Sequence, residues 1–282
     1  MVKNQKITFN QLIEPSLFKE NGKSSIVKGK YGFIKETFKI SNSQQSQQFQ
    51  RAKGKYTLLT LKNILTSTPE EYDYYLNKLT SSLKDYITNV KPSDTILIVG
   101  LGNRHIASDS LGIEVVKNIN ITRNFVSNKP QICAFSPSVL GLTGIETSDT
   151  IDGISAQIKP DIIIMIDSLC ASDVSRLGVS FQINNVPIIP GSGINNTRKK
   201  VSNTIKTISI GVPLVIYGST FIKSAIIGAN IDINTINDKQ LKNKINALLR
   251  QKFDQLVTLN EIDYSVKHIG RIIASAINNL FK

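Results

Sequence analysis

Two aspartates stand where strand-like apolar runs give way to polar sequence, and two carboxylates meeting at such a place can share a proton and activate water. Asp109 follows Thr95-Ile-Leu-Ile-Val-Gly-Leu-Gly102, and Asp167 closes Asp161-Ile-Ile-Ile-Met-Ile-Asp167. A carboxylate at the end of an apolar run is costly unless it is paired or used. If the two approach closely, mutual repulsion disfavours double ionisation, and the pair holds one proton over part of the pH range. One member then serves as base on a water and the other as acid on a leaving group. Amide hydrolysis fits that division, and so does binding of a metal ion. Taken singly, Asp109 would cap the helix that follows it, and Asp167 would accept backbone hydrogen bonds in a turn.

What must position these residues is a sheet. Short apolar runs bounded by turn residues, with helix-like segments between them, predict a buried parallel sheet whose carboxyl ends form a ligand crevice. Lys55-Tyr-Thr-Leu-Leu-Thr-Leu61, Gln131-Ile-Cys-Ala-Phe135 and residues 208–216 supply further strands. Residues 69–90 read as an amphipathic helix with Glu70, Glu71 and Asp73 in its first turn, where the helix dipole favours them. A second helix is expected over 109–119, capped by Ser108 or Asp109, and a third after the Gly-rich loop 137–147, ending at Ile158. Pro190-Gly-Ser-Gly193 predicts a sharp turn. The last helix, over 262–281, places Val266, Ile269, Ile273, Ala276, Ile277 and Leu280 on one face. The alternation of strand and helix predicts a three-layer α/β/α domain with a mostly parallel central sheet.

A chain of 282 residues that is 40% hydrophobic and 20% charged buries a substantial core. Its first 53 residues, with the polar run Ser41-Asn-Ser-Gln-Gln-Ser-Gln-Gln48, read as an irregular extension of propeptide or linker character, leaving residues 54–282 as a single domain. No apolar stretch reaches the roughly 18–20 residues that span a bilayer, and the first residues lack the apolar segment of a secretory signal, so a cytoplasmic protein without membrane contact is expected. Cys133 and Cys170 lie far apart in apolar surroundings, which predicts buried thiols. The formal charge of +13 invites a nucleic-acid partner. Its lysines and arginines are spread over the whole chain without a compact basic and aromatic motif, so direct nucleic-acid binding is not expected.

Several chemistries lose their support. Gly100-Leu-Gly102 begins like a dinucleotide fingerprint, but His105 stands where the third glycine belongs, and no phosphate loop, HExxH helix or GxSxG elbow occurs. The two histidines, His105 and His268, reach no motif-marked nucleophile. No cofactor is expected.

Five motifs in order resemble the spore germination proteases. They are Gly100-Leu-Gly-Asn103 with Asp109 and Leu111-Gly112; Gly141-Leu-Thr-Gly-Ile-Glu-Thr147; Ile166-Asp-Ser-Leu169; Pro190-Gly-Ser-Gly193 with Asn196, Arg198 and Lys199; and Ile210-Gly-Val-Pro213. The resemblance implies an endopeptidase that degrades small acid-soluble spore proteins during germination, in the cytoplasm of the spore core or forespore. It implies a zymogen, a homotetramer, no resident metal, and a phosphorylase/hydrolase-like fold similar to that of the hydrogenase maturation proteases. Its two essential aspartates fall on Asp109 and Asp167. Asn103, Gly141, Gly144, Glu146, Gly191, Gly193, Arg198 and Lys199 then take supporting or substrate-binding places. Gly141 and Gly144 would permit a tight backbone path, Glu146 would cap a helix or orient an aspartate, and Arg198 and Lys199 would meet acidic substrate side chains.

The chain departs from the family where Ala107-Ser108 replace a Thr-Pro, where Tyr217 replaces an aspartate, and in Ile7-Thr-Phe-Asn-Gln-Leu-Ile-Glu14, which lacks the acidic propeptide pattern. Three alternatives stay open: an inactive or repurposed homologue, a metal-binding maturation-type protease, and a peptidyl-tRNA hydrolase. The last shares the Gly-Leu-Gly-Asn strand end but not its further His and Asp signatures.

Overall fold

The computed structural model of the chain describes residues 24–49, 51–126, 128–186, 205–228 and 255–282, with single positions at 240, 243–244 and 247. Nine strands among them form one sheet. They are β1 (Ser24–Lys28), β2 (Ile34–Ile40), β3 (Gly54–Thr60), β4 (Thr95–Gly100), β5 (Gln131–Phe135), β6 (Ile162–Ala171), β7 (Ser180–Asn184), β8 (Lys206–Tyr217) and β9 (Leu256–Thr258). Their order is β1-β2-β3-β7-β8-β6-β4-β5, and β9 lies against the far end of β8.

The parallel character expected of the sheet holds for β5, β4, β6 and β8. Beyond β8 every pairing is antiparallel, through β7 and β3 to β2 and β1. The parallel strands are apolar on both faces because both are covered. One face carries Ile98, Ile164, Ile166, Ile208 and Ile210 against helices α2 (Pro69–Lys84), α3 (Leu111–Lys117) and α7 (Ile262–Leu280), through Leu79, Leu111, Val115, Ile269 and Ile273. The opposite face carries Leu97, Val99, Ile163 and Met165 against α5 (Thr147–Ile158), through Ile151. These layers are the three expected. Each fully buried Ile or Leu contributes about 1.5–3 kcal/mol by removal from water.

Residues 41–48 differ from the irregular linker that their composition suggests, since Ser43–Phe49 form a short helix, α1. Its start is fixed by side-chain turns: Asn42 Oδ1 accepts from the Gln45 N–H at 2.8 Å, and Gln45 Oε1 accepts from the Ser41 N–H at 2.8 Å. Before it, β1 and β2 extend the main sheet, and Phe38 and Ile40 are buried with Tyr56 of β3. The sheet therefore begins upstream of residue 54, and its cross-strand register ties residues 24–40 to β3. Residues 1–23 lie outside the described residues.

Helix α2 opens with a capping box, in which Thr68 Oγ1 accepts from the Glu71 N–H and Glu71 Oε2 accepts from the Thr68 N–H, with Pro69 as the first helical residue. It stops at Lys84, six residues short of the expected end at Val90. The cause is Tyr86, which turns inward so that its hydroxyl lies 2.8 Å from Thr57 Oγ1 and 3.1 Å from the Ile183 carbonyl.

Candidate active site

Asp109 is positioned by a loop that leaves β4 and cannot easily relax. Gly102 has φ +118°, and a Cβ there would collide with the Asp109 carbonyl oxygen, so the loop closes on itself only because position 102 is glycine. The Asn103 N–H donates both to that carbonyl and to Asp109 Oδ2, each at 3.0 Å. The Asp109 N–H donates to the Ile106 carbonyl at 2.9 Å, and Asn103 Oδ1 accepts from the His105 N–H at 2.9 Å. Behind the loop, Gly100 and Gly112 meet backbone to backbone, which lets α3 sit against the end of β4. Asp109 thus belongs to a 3-10 turn, Ala107–Asp109, rather than to the cap of α3, whose N-cap is Ser110.

Burial raises the Asp109 carboxyl to about 7, against the opposing pull of the Asn103 N–H. A carboxylic acid that titrates near neutrality can carry a proton to a leaving group, and its conjugate base can remove one from water.

Asp167 lies in β6, 9% exposed, in register with Gly211 of β8. It differs from the expected strand end. Residues 168–171 continue the strand, paired with 212–216 of β8, because both segments are apolar enough to be buried on both sides. What does end there is β4: Gly100 is the last β4 residue in register, opposite Ile166, and the Leu101 N–H donates to the Ile166 carbonyl at 2.8 Å. β4 has thus ended by the level of Asp167, while β6 and β8 run on. The Asp109 turn packs against β6, β8 and the C-terminal helix.

The other expected residues divide. Asn103 stands beside Asp109, acting through its backbone N–H. Glu146 occupies the N-cap position of α5, but its side chain makes no capping bond. Gly144 has a positive φ of +69° as the C-cap of the short helix α4 (Leu140–Thr143), and a Cβ at Gly141 or Gly144 would meet open space. The crowded glycines around the Asp109 loop are Gly100, Gly102 and Gly112, marked in the sequence only by Gly-Leu-Gly-Asn and Leu-Gly. Gly191, Gly193, Arg198 and Lys199 lie outside the described residues.

Two hydroxyls at these strands were given no role in the sequence. Ser168 Oγ and Ser136 Oγ, in the residues following Asp167 and β5, are buried without a protein hydrogen-bond partner. His105 is exposed. His268 packs between the rings of Tyr72 and Tyr264 at 5.5 and 5.7 Å, and burial lowers its pKa. Cys170 is buried as expected, whereas Cys133 is only half-buried. No helix among the described residues is long and apolar enough to cross a membrane.

Comparison with known proteins adds a family. The model of the germination protease family matches residues 19–231. A germination protease of Clostridium acetobutylicum is 30% identical over 270 residues, covering 86% of this chain and 83% of the relative. One from Caldanaerobacter subterraneus is 33% identical over 227 residues, 71% of this chain and 70% of the relative, and one from Bacillus subtilis is 39% identical over 158 residues, 52% and 40% respectively. Among solved structures, a [NiFe] hydrogenase maturation protease, HycI, from Thermococcus kodakarensis aligns at 18% identity over 47% of this chain and 80% of that one, with a TM-score of 0.33.

Proposed function

The chain belongs to the germination protease family, and we propose from that premise that it is an endopeptidase that degrades small acid-soluble spore proteins during germination, using Asp109 and Asp167 to activate water. The observation that carries the mechanism is the Asp109 carboxyl, raised by burial to about 7 and pinned by the Asn103 N–H on a turn that packs over β6.

Asp167, as carboxylate, takes a proton from a water whose oxygen attacks the scissile carbonyl carbon. Asp109, as acid, gives its proton to the departing amide nitrogen as the C–N bond breaks. The products are a carboxylic acid and an amine, and exchange of one proton with solvent resets the pair. Division of labour between one acid and one base requires that their environments differ. The raised Asp109 carboxyl supports assigning it the proton.

Arg198 and Lys199 are proposed to meet acidic side chains of the substrate. Charge-removing substitutions at both should lower cleavage of a Glu-containing peptide more than that of its Gln counterpart; equal effects on the two peptides would remove the role. Synthesis as a self-processing zymogen, assembly as a homotetramer and residence in the spore cytoplasm belong to the same reading.

The test is cleavage of a small acid-soluble spore protein by wild type, Asp109→Asn and Asp167→Asn, with and without a chelator, with the intact mass of the enzyme recorded. Chelator-resistant cleavage lost in both variants is expected, and a shortened wild-type N-terminus alone would mark self-processing. Loss to the chelator would favour a metal-dependent site, and cleavage retained in either variant would sink the aspartate pair.

A further inference from the structure

Among the described residues, Lys35, Lys55 and Lys78 are the lysines that are not exposed, and all three line the same groove. The groove, about 420 Å³, runs between β1–β3 and the C-terminal half of α2, and Thr37, Ser81 and Asp85 also line it. Lysine is among the residues least often withdrawn from water, so three half-buried lysines lining one groove need a cause.

Their partners are unequal. Lys35 Nζ is 2.6 Å from Asp85 Oδ2. Lys55 Nζ sits over the Tyr86 ring at 4.6 Å from its centroid, and Lys78 Nζ over Tyr74 at 5.1 Å and Phe33 at 5.9 Å. Ring faces hold an ammonium in place without neutralising it. Asp85 is the groove's sole carboxylate among the described residues, and Lys35 already engages it. The groove therefore presents two positive charges held over ring faces, with hydroxyls beside them.

We propose that this groove binds a phosphate group, with Lys55 and Lys78 as its charge partners. No arginine among the described residues lines it. Its cations are point charges without the planar fork that pairs bidentately with a carboxylate, and two of them match an oxyanion carrying more than one negative charge. The site lies on the antiparallel side of the sheet, away from Asp109 and Asp167, and is independent of the proteolytic reading. The phosphate group has two sources to be told apart, a free polyphosphate and the backbone of a nucleic acid.

The experiment is calorimetric titration of the full chain with pyrophosphate and, separately, with a short single-stranded oligonucleotide, at fixed ionic strength. It compares wild type, Lys55→Gln with Lys78→Gln, the pair Lys55→Arg with Lys78→Arg, and Lys84→Gln as an exposed lysine of the same helix. Loss of two charged contacts should weaken binding at least about tenfold in the glutamine pair, with affinity kept in the arginine pair and in Lys84→Gln. Pyrophosphate binding with that pattern assigns a free anion, and oligonucleotide binding alone with that pattern assigns a nucleic-acid backbone. If wild type binds neither, or if the glutamine pair binds as wild type does while melting at the same temperature, the proposal is overturned.

Discussion

The two sides of the sheet hold an acidic and two basic side chains, and they do so with different tools. On the parallel side, Asp109 is held by a backbone N–H supplied by the loop leaving β4, and burial raises its pKa. On the antiparallel side, Lys55 and Lys78 are held by the faces of Tyr86 and Tyr74. A loop at the carboxyl end of a parallel strand has spare N–H groups to offer an anion, whereas a helix packed over an antiparallel wing offers rings and apolar stems to a cation. On the reading proposed above, the difference assigns chemistry to the first region and stability, with ligand attraction, to the second.

Substitutions can break that division. The largest effect is expected at the aspartates, where Asp109→Asn or Asp167→Asn should lower kcat/KM for a protein substrate by about 10²–10⁴-fold with unchanged far-UV circular dichroism. A loss explained wholly by unfolding would erase the distinction. Phe38→Ala, in the wing, should do the reverse. Phe38 is 3% exposed and stacked on Tyr56 at 5.5 Å, so denaturant unfolding should show a loss of about 3–5 kcal/mol, while kcat/KM per folded molecule stays within about twofold. A large fall in activity at full folding would show the wing to be part of the site.

A subtler effect comes from pH. The folded value of Asp109, about 7, lies above its ordinary value of 3.8. Stability drawn from its protonated form is therefore complete below pH of about 4 and is lost as pH rises through about 7. Asp109→Asn cannot lose it, so the melting temperature of the variant should gain on wild type by a few degrees between pH 5 and 8. A constant difference across that range would mean that the carboxyl titrates normally. The smallest effect is at the cap of α2, where Thr68→Ala should cost about 1 kcal/mol in unfolding experiments and leave cleavage unchanged.

The parallel side was legible in the sequence because its strands are continuous apolar runs between turn residues, and β5 matches its expected span at Gln131–Phe135. The wing was not. In β2, Ile34-Lys-Glu-Thr-Phe-Lys-Ile40 mixes charge with apolar residues because one face is wet, and β1 has no apolar run to announce it. The early end of α2 also escaped, since Tyr86 leaves the helix for partners on β3 and β7 that are distant in sequence. At the site, both aspartates were visible as carboxylates beside apolar runs, although Asp167 proves to lie within β6 and Asp109 in the turn after β4. The 3-10 turn that takes Asp109 away from the cap of α3 was not, because it depends on the collision that glycine at 102 avoids. The continuation of β6 past Asp167 depends on pairing with β8, a contact between segments about forty residues apart in sequence.

The most direct test of the parallel side's chemistry is a titration of the Asp109 carboxyl carbon by carbon-13 nuclear magnetic resonance, assigned by its absence in Asp109→Asn. A midpoint near 7 is expected of an acid that holds its proton up to neutral pH. A midpoint near 3.8, the ordinary aspartate value, would contradict Asp109 as the proton donor.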